Sequence, residues 1–307
     1  MSIAFLCPGQ ASQRVGMGYD LYNNTDLGKK YFDIANEIMS VDIKDIIFNG
    51  PEQQLKQTQF TQPAIYIVSV IIGELLINKG IKPACAAGHS LGEYSALSLG
   101  KSFDFETGLE LVKIRSEAMQ NACALNKGTM AAVIGLQDDK IIKICQSHKN
   151  EGIVVAANFN AKAQVVISGE SKAIKSIIPL MKEAGALKVI ELNVSGAFHS
   201  PLMSSAKIVL ADKLSSINIK DSSFPIYSNV TALPISSSDE IKNALIDQLD
   251  SPVLWHQSIT QMINDGSKNA VEVGPGRVLQ GLTKRIDRSL NMNGVESHEQ
   301  IVNFKYV

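Results

Sequence analysis

Ala84-Cys85-Ala86-Ala87-Gly88-His89-Ser90-Leu91-Gly92-Glu93-Tyr94 sets a serine between two glycines where a run of small residues gives way to an apolar one. Lys82 to Ala87, made largely of small residues, reads as a strand, and Leu91 to Leu99 reads as a helix. Between them, Gly88-His89-Ser90-Leu91-Gly92 fits G-x-S-x-G. Its two glycines permit a sharp strand-to-helix turn that exposes the Ser90 oxygen and sets the Leu91 N–H at a helix N-terminus. An idle serine in a Gly-rich turn satisfies the same five letters. The flanking strand and helix favour a nucleophile. His89 sends its side chain elsewhere in such a turn and reads as structural.

Upstream, Ile3 to Cys7 reads as a buried strand closed by Pro8-Gly9, and Gln62 to Asn78 as a buried helix. Downstream, Glu106 to Gln120 reads as another helix. This alternation predicts an α/β layered core. The middle of the chain departs from it. Strands are expected at Thr129–Ile134, Ile153–Asn158, Gln164–Ser168 and Leu187–Val194, with helices at Asp138–His148 and Ser171–Ala184. The order β-α-β-β-α-β is that of a ferredoxin-like unit. Residues 124–197 are therefore expected as a small subdomain inserted into a core formed by 1–123 and 198–307. A helix near Pro201–Ser215, a strand near Pro225–Ser228, a helix near Asp239–Leu249, a strand Ala270–Val273 and a helix Arg277–Ile286 complete that core.

Of 307 residues, 45% are apolar and 19% charged, with 29 Lys+Arg against 30 Asp+Glu. The balance supports a packed interior and excludes a disordered polyelectrolyte, and it lacks the basic excess of a nucleic-acid binder. Cys7, Cys85, Cys123 and Cys145 are far apart and form no C-x-x-C pair, so neither a zinc site nor a disulfide framework is expected, and a reducing cytoplasm fits. No basic stretch precedes Ile3, and Pro8-Gly9 cut the first apolar run short, which reads as a strand and not a signal peptide. Ser69, Gly73 and Glu74 interrupt the longest apolar run, Ala64–Ile77, so no membrane span is expected.

A serine nucleophile needs a proton acceptor. His199, in Ser195-Gly196-Ala197-Phe198-His199-Ser200-Pro201, follows a strand end and precedes a helix that Ser200 could cap with Pro201 at its first position. A helix N-terminus there would keep the imidazole neutral. A histidine in a connecting loop fits the position equally. On the helix Glu106–Gln120, Gly108, Leu111, Val112, Ala118 and Met119 share a face, and Arg115 lies in its middle. A buried guanidinium requires a partner. The residues alone favour an internal ion pair; the other reading is a fork awaiting a ligand carboxylate.

Taken together, Pro8-Gly9-Gln10, Gly88-His89-Ser90-Leu91-Gly92-Glu93-Tyr94, Gly196-Ala197-Phe198-His199-Ser200-Pro201-Leu202-Met203 and Val273-Gly274-Pro275-Gly276 resemble the malonyl-CoA:acyl carrier protein transacylases and the malonyl-specific acyltransferases of polyketide synthases. The likeness runs from about residue 3 to residue 286. One departure is Ala11, where many members carry a second glycine. The resemblance implies an α/β-hydrolase-like core with an inserted ferredoxin-like subdomain. It implies Ser90 as nucleophile, His199 as base, and the Gln10 and Leu91 N–H groups as oxyanion hole. It makes the Gln248 backbone carbonyl the orienter of the histidine. Arg115 becomes the malonyl carboxylate fork, with Gln62 and Phe198 lining the pocket.

The implied reaction moves malonyl from malonyl-CoA, a substrate, to the phosphopantetheine thiol of acyl carrier protein through a malonyl-serine. It needs no metal or cofactor and supplies fatty-acid biosynthesis. Lys284 and Arg285, with Arg288 beyond, either complement a helix C-terminus or dock the acidic carrier. A monomer without nucleic-acid or membrane partners is expected. The competing readings are a polyketide malonyl acyltransferase acting in trans, a serine hydrolase with Asp250 as third member of a triad, and a non-catalytic carrier-binding protein.

Overall fold

The computed structural model describes residues 3–305, which form two sheets surrounded by helices. The larger sheet has six strands in the order β10-β9-β1-β2-β7-β8. They are β1 (Ile3–Cys7), β2 (Pro83–Gly88), β7 (Ile226–Tyr227), β8 (Pro234–Ile235), β9 (Asn269–Val273) and β10 (Asn291–Val295). All neighbours are parallel except the β7–β8 pair. β1 is central, and all five of its residues are buried, the near-continuous apolar pattern of a strand covered on both faces. The smaller sheet is antiparallel, in the order β4-β5-β3-β6, from β3 (Gly128–Ile134), β4 (Val154–Ala161), β5 (Gln164–Glu170) and β6 (Lys188–Glu191). The helices Asp138–Ser147 and Ser171–Glu183 pack on it and give it a separate apolar core.

The turn after β2 shows why both of its glycines are needed. A Cβ on Gly88 would stand 1.8 Å from the Gly92 carbonyl carbon, and one on Gly92 would stand 2.0 Å from the Cys7 carbonyl oxygen. The helix Gly92–Leu99 thus crosses directly over the end of β1, and its eight residues are all buried.

Several boundaries differ from the sequence reading. The buried helix begins a turn earlier, at Thr58, and runs to Asn78 with Pro63 inside its second turn. It is long and apolar enough to cross a membrane, but 78% of its most apolar window is buried inside the protein, as the central helix of the main core. The helix bearing Arg115 spans Phe105–Leu125, capped by Asp104 accepting from Thr107 N–H at 2.8 Å. β6 is shorter than read and ends at Glu191; Leu192 N–H still donates to the Met130 carbonyl at 2.8 Å, and beyond it the chain turns so that Leu192 and Val194 line a cavity. Unread in the sequence were four helices between Tyr19 and Leu55, three of them short and one, Asp26–Met39, of 14 residues, together with the helix Trp255–Asn264, and β10 with the helix His298–Asn303 after it.

Candidate active site

Ser90 stands at the turn between β2 and the helix Gly92–Leu99 with φ 51°, the left-handed region that L residues seldom adopt. Its Oγ lies 2.8 Å from His199 Nε2. His199, also at positive φ (57°), is held by its other nitrogen, Nδ1, 2.8 Å from the Gln248 carbonyl oxygen. A carbonyl only accepts, so the ring proton sits on Nδ1 and Nε2 accepts from the Ser90 hydroxyl. Gln248 is the residue that ends the helix Ser238–Asp247, where a free carbonyl was expected.

Burial holds the His199 imidazolium form down to a pKa of about 3, with the nearby Arg115 charge acting in the same direction and the Gln248 bond opposing. The expected cause was a helix N-terminus. The expected helix is there, as a 3₁₀ turn Pro201–Met203 running directly into the helix Ser204–Ser216, but desolvation and the Arg115 charge are what lower the imidazole pKa. Ser200 does cap the turn, accepting from Leu202 N–H at 3.3 Å. Asp250 pairs with Lys207 at 3.0 Å and is not the partner of His199. His148 bonds Ser176 on the small sheet's helical layer, outside the network around Ser90. His89 reaches the small sheet through Nε2, 2.8 Å from Asn160 Oδ1, in keeping with a structural role.

Arg115 is fully buried and makes no ion pair among the described residues. Its Nη1 donates to Gln62 Oε1 at 2.5 Å; its Nη2 donates to Ser90 Oγ at 3.0 Å and to Gln248 Oε1 at 2.9 Å. The Tyr94 ring lies 5.4 Å from the guanidinium carbon. The internal ion pair that the residues alone favoured is therefore replaced by neutral acceptors. The nearest acid in the network is one residue removed: Gln248 Nε2 donates to Glu93 Oε2 at 2.6 Å. Glu93 is fully buried, and desolvation raises its pKa to about 7 against the lowering influence of Gln248, Asn229 and Arg115.

A cavity of about 260 Å³ opens over Ser90 and His199. Gln10 and Leu91 line it, and among the described residues neither of their N–H groups has an acceptor in the protein. Gln62, Met119, Met130 and Phe198 form the inner wall, with Asn158, Asn160 and Gln164 of the small sheet opposite. Leu279 and Leu282, on the helix Val278–Ile286, close the outer side. Lys284 and Arg285 end that helix exposed, and Arg285 donates to Gln164 at 2.6 Å, so the basic end borders the cavity mouth. Beside Gln10, Ala11 has φ 85°; alanine there is strained, where a glycine would be free.

The sequence reading missed Glu93, Asn229 and the Gln248 side chain. Glu93 had a signal: it is the lone charge in Gly92–Leu99, otherwise apolar or small. Asn229 had none beyond its place in a loop after a short strand.

Residues 4–301 match the acyl transferase domain family. The malonyl CoA-acyl carrier protein transacylase of Bacillus subtilis is 40% identical over 300 residues, covering 97% of this chain and 95% of that protein. That of Haemophilus influenzae is 38% identical, covering 98% of each. Among solved structures, an acyl carrier protein S-malonyltransferase from Vibrio cholerae superposes with a TM-score of 0.95 at 38% identity, over 99% of this chain and 100% of the other. A malonyl-transacylase in complex with a type II polyketide acyl-carrier protein gives 0.95 at 36% identity, over 99% and 98%.

Proposed function

Because the chain belongs to the acyl transferase domain family, we propose that it moves malonyl from malonyl-CoA to acyl carrier protein through Ser90. The observation that carries this reading is the position of Ser90 Oγ, 2.8 Å from His199 Nε2 and 3.0 Å from Arg115 Nη2. A base and a carboxylate-binding cation meet at one hydroxyl.

Ser90 attacks the thioester carbon while His199 takes the hydroxyl proton. The Gln10 and Leu91 N–H groups receive the developing oxyanion, and one such donor is worth about 3 kcal/mol. The tetrahedral adduct collapses, the C–S bond breaks as His199 gives its proton to the departing sulfur, coenzyme A leaves as the thiol, and malonyl remains as an ester on Ser90. The carrier's phosphopantetheine thiol then attacks that ester and gives its proton to His199, which passes it to the departing Ser90 oxygen, so Ser90 leaves as the hydroxyl and malonyl as the carrier thioester. The malonyl carboxylate replaces Gln62 Oε1 and Ser90 Oγ as acceptor for the Arg115 fork, which selects a carboxylated acyl group and orients its carbonyl. Phe198 and the two methionines fit a small unbranched acyl group. Lys284 and Arg285 present positive charge to an acidic carrier.

A triad hydrolase is disfavoured by the carbonyl partner of His199 and by the Lys207 pairing of Asp250. Service to a polyketide carrier is the second reading, favoured by the similarity to a transacylase solved with such a carrier. In fold terms, the six-stranded layer reads as a hydrolase-like core over 1–123 and 198–307. The antiparallel β4-β5-β3-β6 sheet reads as a ferredoxin-like insert over 124–197. Intact mass after mixing with malonyl-CoA, then with fatty-acid and polyketide carriers, tests the function. The expected result is a malonyl adduct on Ser90 that a carrier thiol removes faster than water does; no adduct, or faster loss to water, overturns it.

A further inference from the structure

Asn229, in the loop after β7, is buried and has no part in the chemistry above. Its side-chain amide spans the Ser90 turn. Oδ1 accepts from Ser90 N–H at 2.7 Å, and Nδ2 donates to the Gly88 carbonyl at 2.6 Å. Its backbone is engaged as well. Asn229 N–H donates to Glu93 Oε2 at 3.4 Å, and its carbonyl accepts from Leu254 N–H at 2.8 Å. One residue thus ties the last residue of β2, the nucleophile, the first turn of the helix Gly92–Leu99 and the segment beyond Gln248.

The turn needs such a tie. Ser90 has φ 51°, and a backbone held in that region persists only where its surroundings over-determine it. A rigid planar amide bonded to both Gly88 O and Ser90 N fixes the separation of those two atoms. It therefore fixes the pitch of the turn, the direction of Ser90 Oγ and the aim of the next N–H, that of Leu91. Water in place of the amide would fix none of these.

We infer that Asn229 is a positioning residue that clamps the nucleophile turn in its strained form, acting through Ser90 without touching the acyl group. The inference rests on Ser90 as acyl acceptor, and the first measurement separates the two. If wild type takes no malonyl adduct from malonyl-CoA, the functional reading fails, whatever Asn229 does.

With the adduct established, acylation kinetics are compared for wild type, Asn229→Ala and Asn229→Asp. Asn229→Ala should lower kcat on the order of 10²-fold with KM for malonyl-CoA within about twofold, since the Arg115 fork and cavity walls are untouched. A fluorophosphonate, which reports Ser90 reactivity without carboxylate recognition, should slow in step. Asn229→Asp has a distinguishing signature. Its protonated carboxyl, like the amide, offers both an acceptor for Ser90 N–H and a donor for the Gly88 carbonyl; its carboxylate offers no donor. Its kcat relative to wild type should therefore fall as pH rises, whereas that of Asn229→Ala should not. The ionisable groups around the turn, Glu93, Arg115, His89 and His199, are common to all three proteins. Unchanged kcat in Asn229→Ala overturns the inference, as does an equal worsening of kcat and KM in both variants. If Asn229→Ala does not fold, Asn229→Asp decides: a pH-dependent kcat deficit supports the clamp, and wild-type kcat across the pH range overturns it.

Discussion

Arg115 Nη2 stands 3.0 Å from Ser90 Oγ, so the cation proposed to read the substrate's carboxylate also touches the proposed nucleophile. Ser90 Oγ thereby has a fixed positive charge on one side and a neutral imidazole on the other. The charge favours an oxyanion at Ser90 and disfavours a second cation at His199, consistent with the depressed imidazole pKa. Recognition and reactivity share one guanidinium.

Replacing Arg115 with Ala should therefore weaken use of malonyl-CoA by about 2–5 kcal/mol, the scale of breaking a buried charge pair. Acetyl-CoA, without a carboxylate, should be affected much less. The measurement is the ratio of malonyl to acetyl kcat/KM in both proteins; an unchanged ratio would falsify the fork.

His199 sets two pH effects. With its pKa in the folded enzyme about 3, the imidazole proposed as base stays neutral well below the usual histidine range of about 6.5. The acid limb of acylation kcat/KM should then lie below about pH 5. Removing the imidazole in His199→Ala should slow both half-reactions by about 10²–10⁴-fold. Stability has a matching slope. The unfolded state takes up a proton below about 6.5 and the folded state only near 3, so this contribution is present above 6.5 and lost as pH falls between those values. A titration midpoint at 6.5 for the folded enzyme's acid limb counts against the assignment.

Glu93 behaves with the opposite sign. Its folded pKa, about 7, lies above the usual carboxyl value of 4.5. Its contribution is full below 4.5 and lost as pH rises through 7, a loss of roughly 1.4 kcal/mol for each pH step between those two values. Glu93→Gln removes that loss. Its stability relative to wild type should climb between pH 5 and pH 8 in urea unfolding, and a pH-independent difference would show that Glu93 is not buried uncompensated.

Ala11→Gly should stabilise the chain modestly. Relief of the left-handed alanine, about 1–2 kcal/mol, is partly offset by the extra chain entropy of glycine, about 0.5–1 kcal/mol. A lowered melting temperature would contradict the strain read from φ 85° at this exposed position.

Charge reversal at Lys284 and Arg285 should slow transfer to the carrier while leaving acylation by malonyl-CoA intact. The two half-reactions are measured apart at low salt, where electrostatic steering is strongest. Equal effects on both would mean that Arg285 acts through its bond to Gln164, at 2.6 Å, on the cavity wall.

What could be read in the chain was what local rules control. Gly88 and Gly92 announce the turn because only glycine fits the crossing over β1, and the end of the helix Ser238–Asp247 announces a free carbonyl at Gln248. The Arg115 environment was only half legible. Periodicity placed it on a buried face, but its acceptors, Gln62 and Gln248, come from positions 53 and 133 residues away, and no local pattern records such meetings. The same holds for Asn229, 139 residues from the Ser90 N–H that it binds. Three of the helices between Tyr19 and Leu55 went unread because they are four to seven residues long and depend on packing; the fourth, Asp26–Met39, carried a legible signal in its Thr25 cap and its buried face of Tyr31, Phe32, Ala35 and Met39.

The place where the small sheet leaves and rejoins the core has a consequence for how this architecture can diversify. A Cβ on Gly128 would meet Ala197 Cβ at 2.6 Å, and one on Gly196 would meet Cys123 Sγ at 2.1 Å, so the outgoing and returning strands of chain touch. A segment whose ends lie together puts no stretch on the strands that flank it, so the register of β1 and β2 beside Ser90 is set by the larger sheet alone. The segment is also fastened along one face: Val253 pairs with Ala157 and Phe159, side chains bond across at His89–Asn160, Arg285–Gln164 and Thr58–Ser195, and Met130, Ala157 and Val166 pack into the main core. Because this segment supplies Asn158, Asn160, Gln164 and Val166 to the cavity, substitutions in it reshape one wall of the pocket without touching the turn that bears Ser90.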